Sequence, residues 1–467
     1  MTRKSILGLT LLALLNFPAM AGEPAAAAAP AGVQILGNDS CLRAFLVFRT
    51  PVVMGADGKT SPAQDKAAKE SKEPKLPAEF QSALPPANWT SPEFDDVAWE
   101  RWQAPVEVGP ASDRAGSRLI GVASSMICVR GRFMVQDPSK VQGMKLKLEF
   151  VGGAVVYING QELTRASLPA GELKPDTLAE KYPDDLYCQP DGQFLQDNMI
   201  SKNAAAFDRR YRKLSDVEIP AKLLRKGLNV LAVEVYRAPI NAAVLDAKAT
   251  AMASMGGVRG IWAYVGIRSL GLTASADGGI APAVARPKGI QLWNCVPFET
   301  VTTFDYGDGG EALPVTITSP RNGVFSGRLV VSSDQPIKIL KASVTDLAGD
   351  SGAVIPASAV RVRVAEAAVP DKCWTPAHRF NGLLDVFPAE IPVVKANPPR
   401  EEYPRNYGVY KYVPNGPITI TRSGTVSGAA APIWLTVRVP RDAKPGIYKG
   451  TVNVSADKDG LIGRTPL

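Results

Sequence analysis

Between Met144 and Phe150 every second residue is apolar: Met144, Leu146, Leu148 and Phe150 alternate with Lys145, Lys147 and Glu149. A period of two suits an extended strand with one buried face, because successive side chains of a strand point to opposite sides. Val155-Val156-Tyr157-Ile158 then runs through Asn159-Gly160 into Gln161-Glu162-Leu163. Asn-Gly between two strand-like runs is the signal of a tight hairpin whose turn needs positive φ. Further on, the turn Leu223 to Gly227 leads into Leu228 to Tyr236, a long run rich in β-branched residues. The strand-then-helix alternation of a parallel barrel or doubly wound sheet is missing, so the pattern predicts an all-β chain.

A chain of 467 residues is too long for one ordinary core and predicts more than one domain. The segment Thr273 to Pro287, dense in Ala, Gly and Pro, reads as a linker, with a second domain over 288–467. Strand-like runs resume there at Leu313–Ile317, Gly327–Val331, Ile337–Leu340 and Val360–Val364. The series is expected to end in a hairpin, with Ile433, Leu435, Val437 and Val439 on one face, a turn at Lys444-Pro445-Gly446, and Tyr448 to Val454 on the return. The fold class expected is two consecutive β-sandwich domains, jelly-roll or immunoglobulin-like.

The N-terminus reads as an export leader over 1–21: Arg3 and Lys4, the apolar run Ile6 to Phe17, and the small residues of Ala19-Met20-Ala21 before Gly22. An Ala/Pro spacer follows over 22–33, and the first domain is placed at 34–272. No later run reaches the length needed to cross a bilayer, so an exported protein without a membrane span is expected, in the periplasm, at the cell surface or outside the cell. The formal charge is +8, reduced by two if Arg3 and Lys4 are removed with the leader, and the basic residues are scattered. Nucleic-acid proteins concentrate such residues on one face, so no nucleic-acid partner is expected. The polar stretch Gly55 to Pro77 reads as a solvated insertion.

Five cysteines, Cys41, Cys128, Cys188, Cys295 and Cys373, lie far apart with no C-x-x-C pair, and His378 is the sole histidine. Clustered metal ligation and multi-histidine sites are therefore unsupported, and no metal or cofactor is expected. His378 itself reads as a loop residue between strands. The acid doublets Asp95-Asp96, Asp184-Asp185 and Glu401-Glu402 are the visible carboxylate pairs. Neighbours on a strand face opposite ways, so adjacency makes no catalytic pair, and Asp95-Asp96 reads as a turn cap. No catalytic residue is assigned.

Asn88-Trp89, Phe94-Asp95-Asp96 and Trp99-Glu100-Arg101-Trp102, followed in order by Arg130 to Phe133, Leu146 to Phe150, Val155 to Leu163 and Lys226 to Val235, resemble the sugar-binding, galactose-binding-like jelly roll of family 2 glycoside hydrolases. Gly171 to Arg212 and Asn241 to Gly257 are insertions relative to that pattern. Arg321 to Gly327 and Pro432 to Val454 look like the sandwich that precedes the barrel in family 123-like glycoside hydrolases. The resemblance implies the non-catalytic carbohydrate-binding and scaffolding part of a secreted bacterial glycoside hydrolase system, with the catalytic barrel absent from this chain as in a truncated, split or accessory form, or carried on a continuation of it. It implies a polysaccharide or glycan as partner. The alternatives are an autonomous extracellular adhesion or structural protein, and an enzyme with an unrecognised site.

Sugar binding needs an aromatic face for the pyranose and a few fixed polar groups for its hydroxyls. The candidates are Trp89, Tyr187, Asp184, Asp185, Tyr236 and Arg237. Trp99, Trp102 and Tyr157 are expected in the core, whereas Tyr187, in an inserted loop beside two aspartates, is expected to be accessible.

Overall fold

The computed structural model describes residues 32–55, 57–62, 81–102, 106–107, 124–187, 189–190, 195, 204–240, 265–275, 279–284, 286–299, 301–307, 312–350, 352–367, 380–395, 426–457 and 461–467. The leader, most of the Gly55–Pro77 stretch, the Asn241–Gly257 insertion, His378 and Glu401-Glu402 lie outside them. Almost every regular element is a strand, as the period-two reading predicts, and no helix among the described residues is long and apolar enough to cross a membrane.

The first half contains β1 (Val33–Leu36), β2 (Leu42–Phe48), β3 (Val52–Met54), β4 (Thr60–Pro62), β5 (Glu100–Trp102), β6 (Val106–Glu107), β7 (Ser124–Val135), β8 (Lys145–Val151), β9 (Gly153–Ile158), β10 (Gln161–Ala166), β11 (Arg212–Glu218), β12 (Gly227–Tyr236), β13 (Gly266–Ala274) and β14 (Ile280–Ala281). Two sheets form a sandwich. One runs β1-β13-β8-β11, with β6 also on β13; the other runs β10-β9-β12-β7-β2-β5, with β14 also on β7. The predicted alternation in β8 sends Leu146, Leu148 and Phe150 inward, where they meet Ile127, Val129, Val156, Leu231 and Val233 of the larger sheet. The Asn159-Gly160 hairpin forms, with both residues at positive φ, 52° and 85°.

Strands β7 and β12 are buried on both faces. Their inner face packs in the sandwich core, and their outer face lies under Trp89 and Trp99. Each fully buried ring of this size stabilises the fold by about 2–3 kcal/mol, which explains why an irregular segment can cover a sheet. The end of β13 and the stretch that follows are laced onto the sandwich: Thr273 and Ala274 of β13 pair with β1, and Ile280-Ala281 pairs with β7.

From Ile290 onward a five-stranded sheet runs β15 (Ile290–Cys295), β16 (Val324–Ser333), β24 (Ala429–Arg438), β21 (Val360–Ala367) and β22 (Phe380–Leu384) in spatial order. It packs through Leu329, Val331, Val364, Ile433 and Leu435 against smaller sheets that include β18 (Lys341–Val344), β26 (Thr451–Ser455) and β27 (Leu461–Pro466). Two expectations fail here. The run after Lys444-Pro445-Gly446 does not fold back beside β24, because β16 and β21 already occupy both of its edges; it crosses to pair with β18 and β27. Leu313–Ile317 is no ladder strand: Pro314 has no N–H to give, and the segment is held instead by Val315 N–H donating to the Pro466 carbonyl at 2.8 Å.

Candidate functional site

The six sequence candidates fall into two places on the first sandwich. Trp89 and Tyr236 meet on the outer face of the larger sheet. Strands β9 and β12 are adjacent, with Tyr157 opposite Ala232 and Val155 opposite Glu234, so the pleat brings Tyr157, Glu234 and Tyr236 to one face. The Tyr157 hydroxyl donates to Glu234 Oε2 at 3.1 Å, and the Tyr236 phenol bonds the same carboxyl. Burial raises the pKa of Glu234, while the two phenolic hydrogen bonds pull it the other way. Burial, and then the Glu234 charge, push both phenols above the usual tyrosine range.

Trp89 is 6% exposed and lies edge-on to Tyr157 at 6.2 Å between ring centroids. Behind it Trp99 stacks at 5.6 Å, flanked by Phe45 and Phe94. Tyr157 is partly exposed, as are Phe45 and Phe94 on the far side of Trp99, and it alone of the three carries a hydroxyl. Beside it, Arg165 holds Glu162 through two 2.7 Å bonds and donates to the Gly171 carbonyl at 2.8 Å. Sequence reasoning placed Tyr157 in the core and did not select Glu234. The alternation of β12 carried the signal, since an acid among Val233, Val235 and Tyr236 on a buried strand needs partners.

Arg130 fixes the aromatic segment to the sheet. It donates to the carbonyls of Trp89 and Ser91 and, through Nε, to Asp96 Oδ2 at 2.6 Å. Asp96 also accepts from Arg132 at 2.7 Å. The turn-cap reading therefore holds for Asp95, whose Oδ1 accepts from Val97 N–H at 3.0 Å, and fails for Asp96, a buried counter-ion to arginines of β7.

Tyr187, Asp184, Asp185 and Arg237 lie instead at the end of the sandwich. Tyr187 is not accessible: it is 2% exposed, packed with Tyr182, Leu186, Ala238 and Ile240. The inserted loop folds back onto the sheet end and buries its own rings. Arg210 sits over the Tyr187 ring and donates to the Leu186 carbonyl at 2.8 Å; Arg212 sits over Tyr182 and donates to the Gly152 carbonyl at 2.6 Å. Asp184 and Asp185 point to solvent, paired with Lys181 at 3.3 Å and Arg209 at 2.7 Å. Arg237 is buried and donates to the carbonyls of Arg49 and Thr50.

A third cluster joins the two sandwiches. Glu299 Oε1 accepts from Arg43 Nη1 at 3.4 Å and from the Arg101 backbone N–H at 3.2 Å. Arg101 stacks on Trp293 at 3.9 Å and donates to the Tyr306 carbonyl, while the Tyr306 hydroxyl donates to the Asp39 carbonyl. Burial raises the pKa of Glu299, opposed by the charges of Arg43 and Arg101. These contacts tie the two sandwiches together.

Among the described residues no group of three or more His, Cys, Asp or Glu side chains could hold a metal ion, and Cys128 and Cys295 are free thiols. Glu234, shifted up, and Glu162, shifted down by its hydrogen bond to Arg165, share one face. A split of that kind marks acid–base pairs in hydrolases. Here, however, Glu234 is 9% exposed and engaged by two phenols, an arrangement suited to fixing Tyr157 rather than to giving a proton to a substrate.

Residues 408–456 match the family described as the glycoside hydrolase 123 N-terminal domain. No curated protein matches in sequence. Among solved structures, a family 123 glycoside hydrolase from Clostridium perfringens is 14% identical, over 38% of this chain and 26% of that one, with a TM-score of 0.21. A β-glucuronidase from glycoside hydrolase family 2 is 11% identical over 95% and 30%, with a TM-score of 0.22. Bifidobacterium dentium β-glucuronidase, complexed with coumarin-3-O-glucuronide, is 12% identical over 92% and 48%, with a TM-score of 0.21. The chain thus spans from about a quarter to about half of the length of these structures. Likenesses at this level carry no functional argument. What the sequence match shows is a likeness of the C-terminal segment to the glycoside hydrolase 123 N-terminal domain.

Proposed function

We propose that the chain is a non-catalytic carbohydrate-binding and scaffolding region of an exported bacterial glycoside hydrolase system, receiving glycan on the outer face of the larger sheet around Tyr157. The observation that supports this is the half-exposed Tyr157 ring, backed by Trp89 and held by Glu234, with Glu162 and Arg165 beside it. That combination offers an aromatic platform and fixed polar groups, the two things a pyranose needs. One stacking contact contributes on the order of 1 kcal/mol beyond area burial, so dissociation constants in the millimolar to micromolar range are expected. Affinity electrophoresis and calorimetry of the full chain against a panel of neutral glycans test it. Tyr157→Ala should abolish binding in a chain that still unfolds cooperatively, at a melting temperature lowered by the loss of the ring packing and of the hydrogen bond to Glu234, and absence of binding to every glycan would overturn the reading.

The contacts between the sandwiches at Glu299 favour a second reading, an autonomous extracellular adhesion or structural module in which the joined sandwiches serve as a spacer. Binding to a cell surface that survives Tyr157→Ala would favour that reading. Export rests on the leader, and N-terminal sequencing of protein from the producing cell should begin near Gly22.

A further inference from the structure

We infer that the loop end of the first sandwich carries an anion seat formed by Arg49 and Arg237, fitted to the carboxylate or sulfate group of an acidic glycan. Strands β2 and β12 both run antiparallel to β7 and so parallel to each other, which brings Arg49, just after β2, and Arg237, just after β12, to the same end. Arg237 is 5% exposed, and its Nη1 and Nη2 donate to the carbonyls of Arg49 at 3.2 Å and Thr50 at 2.7 Å. Arg49 is half-buried, and its Nη1 donates to the carbonyls of Phe48 at 2.7 Å and Ser82 at 2.8 Å. Among the described residues its Nε and Nη2 have no acceptor.

Two guanidinium groups thus stand together on main-chain oxygens alone. No carboxylate among the described residues bonds either of them, and the acid that acts on Arg237, the exposed Asp176, does so only through its charge. Arg43 and Arg130, as deeply buried, each meet a carboxylate at hydrogen-bonding or ion-pair distance. Burial and the Arg49 charge together lower the pKa of Arg237 to about 10, the sign of a cation pair short of counter-charge. The open edge of a guanidinium presents parallel N–H groups, a fork that matches the two oxygens of a carboxylate or sulfate.

This seat is separate from the Tyr157 platform and goes beyond it, so the two can fail independently. The test is calorimetry of the full chain with oligogalacturonate, dextran sulfate, neutral dextran and inorganic sulfate. Oligogalacturonate or dextran sulfate should bind and compete with inorganic sulfate; preference between the first two identifies the group seated. Arg49→Ala should weaken that binding by about tenfold or more, the loss of a charge-assisted bond, Arg49→Lys should restore part of it, and Tyr157→Ala should leave it unchanged. Equal weakening by Arg441→Ala, an exposed cation of the second sandwich, would reduce the effect to net charge and overturn the seat. So would unchanged affinity in Arg49→Ala, or no binding of any acidic probe. Should Arg49→Ala fail to fold, Arg49→Lys and sulfate competition on the parent chain decide.

Discussion

Asp96 and Arg130 meet at 2.6 Å with both side chains withdrawn from water. Arg130 also carries the Trp89 carbonyl, so this pair joins the charge network of β7 to the segment that roofs the sheet. Breaking a buried ion pair on one side leaves a charge without compensation and typically costs about 3–5 kcal/mol. Asp96→Ala should therefore lower stability by that amount in urea unfolding, and expose Trp89 and Trp99 to fluorescence quenchers. An unchanged midpoint would refute the role given to Asp96.

The end-loop residues should separate sharply. Tyr187→Ala removes a buried ring from the cluster around Tyr182 and Ile240 and should cost about 3–5 kcal/mol, the range for large aromatic deletions. Asp184→Ala and Asp185→Ala remove solvent-facing partners of surface ion pairs and should each change stability by less than about 1 kcal/mol. Comparable losses at all three positions would contradict the burial pattern.

Glu234 gives stability a pH slope of known sign. Its folded pKa is raised, chiefly by burial, above the ordinary value of 4.5. As pH rises through 4.5 the unfolded chain releases this proton first, so the folded state holds more protons and stability falls until the folded pKa is passed. Glu234→Gln has no such proton to lose. The stability difference, variant minus parent, should therefore grow from pH 4 to pH 7; thermal melts across that interval showing no growth would count against it.

Glu299 should control whether the sandwiches unfold together. Its replacement by alanine removes the carboxylate that meets Arg43 and the Arg101 backbone, at the point where the two halves touch. Calorimetry of the parent should give one cooperative transition, and Glu299→Ala two. A single transition in the variant would show that Trp293 and Tyr306 suffice to couple them.

Local pattern was the most legible part of this molecule. The alternation of Leu146, Leu148 and Phe150 and the Asn159-Gly160 turn depend on neighbours in sequence, and both appear as expected. The partners of Asp96 come from β7, more than thirty residues away, and nothing near Asp95-Asp96 signals them. Tyr187 misleads for a related reason: two exposed aspartates beside it suggest solvent, whereas its burial is set by Ala238 and Ile240, which follow β12. The return after Gly446 went astray because pairing depends on which ladder edges are free, a property of the whole sheet rather than of the turn. Trp89 and Tyr236 can be named from their chemistry but are both buried, and the more open Tyr157 near them comes to light only once β9 and β12 are side by side.

Three arginines at the loop end donate hydrogen bonds to main-chain carbonyls: Arg212 takes those of Gly152 and Glu180, Arg210 that of Leu186, and Arg237 those of Arg49 and Thr50. A carbonyl is the same acceptor whatever residue bears it. The outward-facing positions of the inserted loop, such as Glu172, Lys174 and Asp176, are therefore free to drift in sequence while the loop keeps its path. Natural relatives and laboratory libraries alike could retune what this end recognises by changing those residues alone, provided the arginines stay.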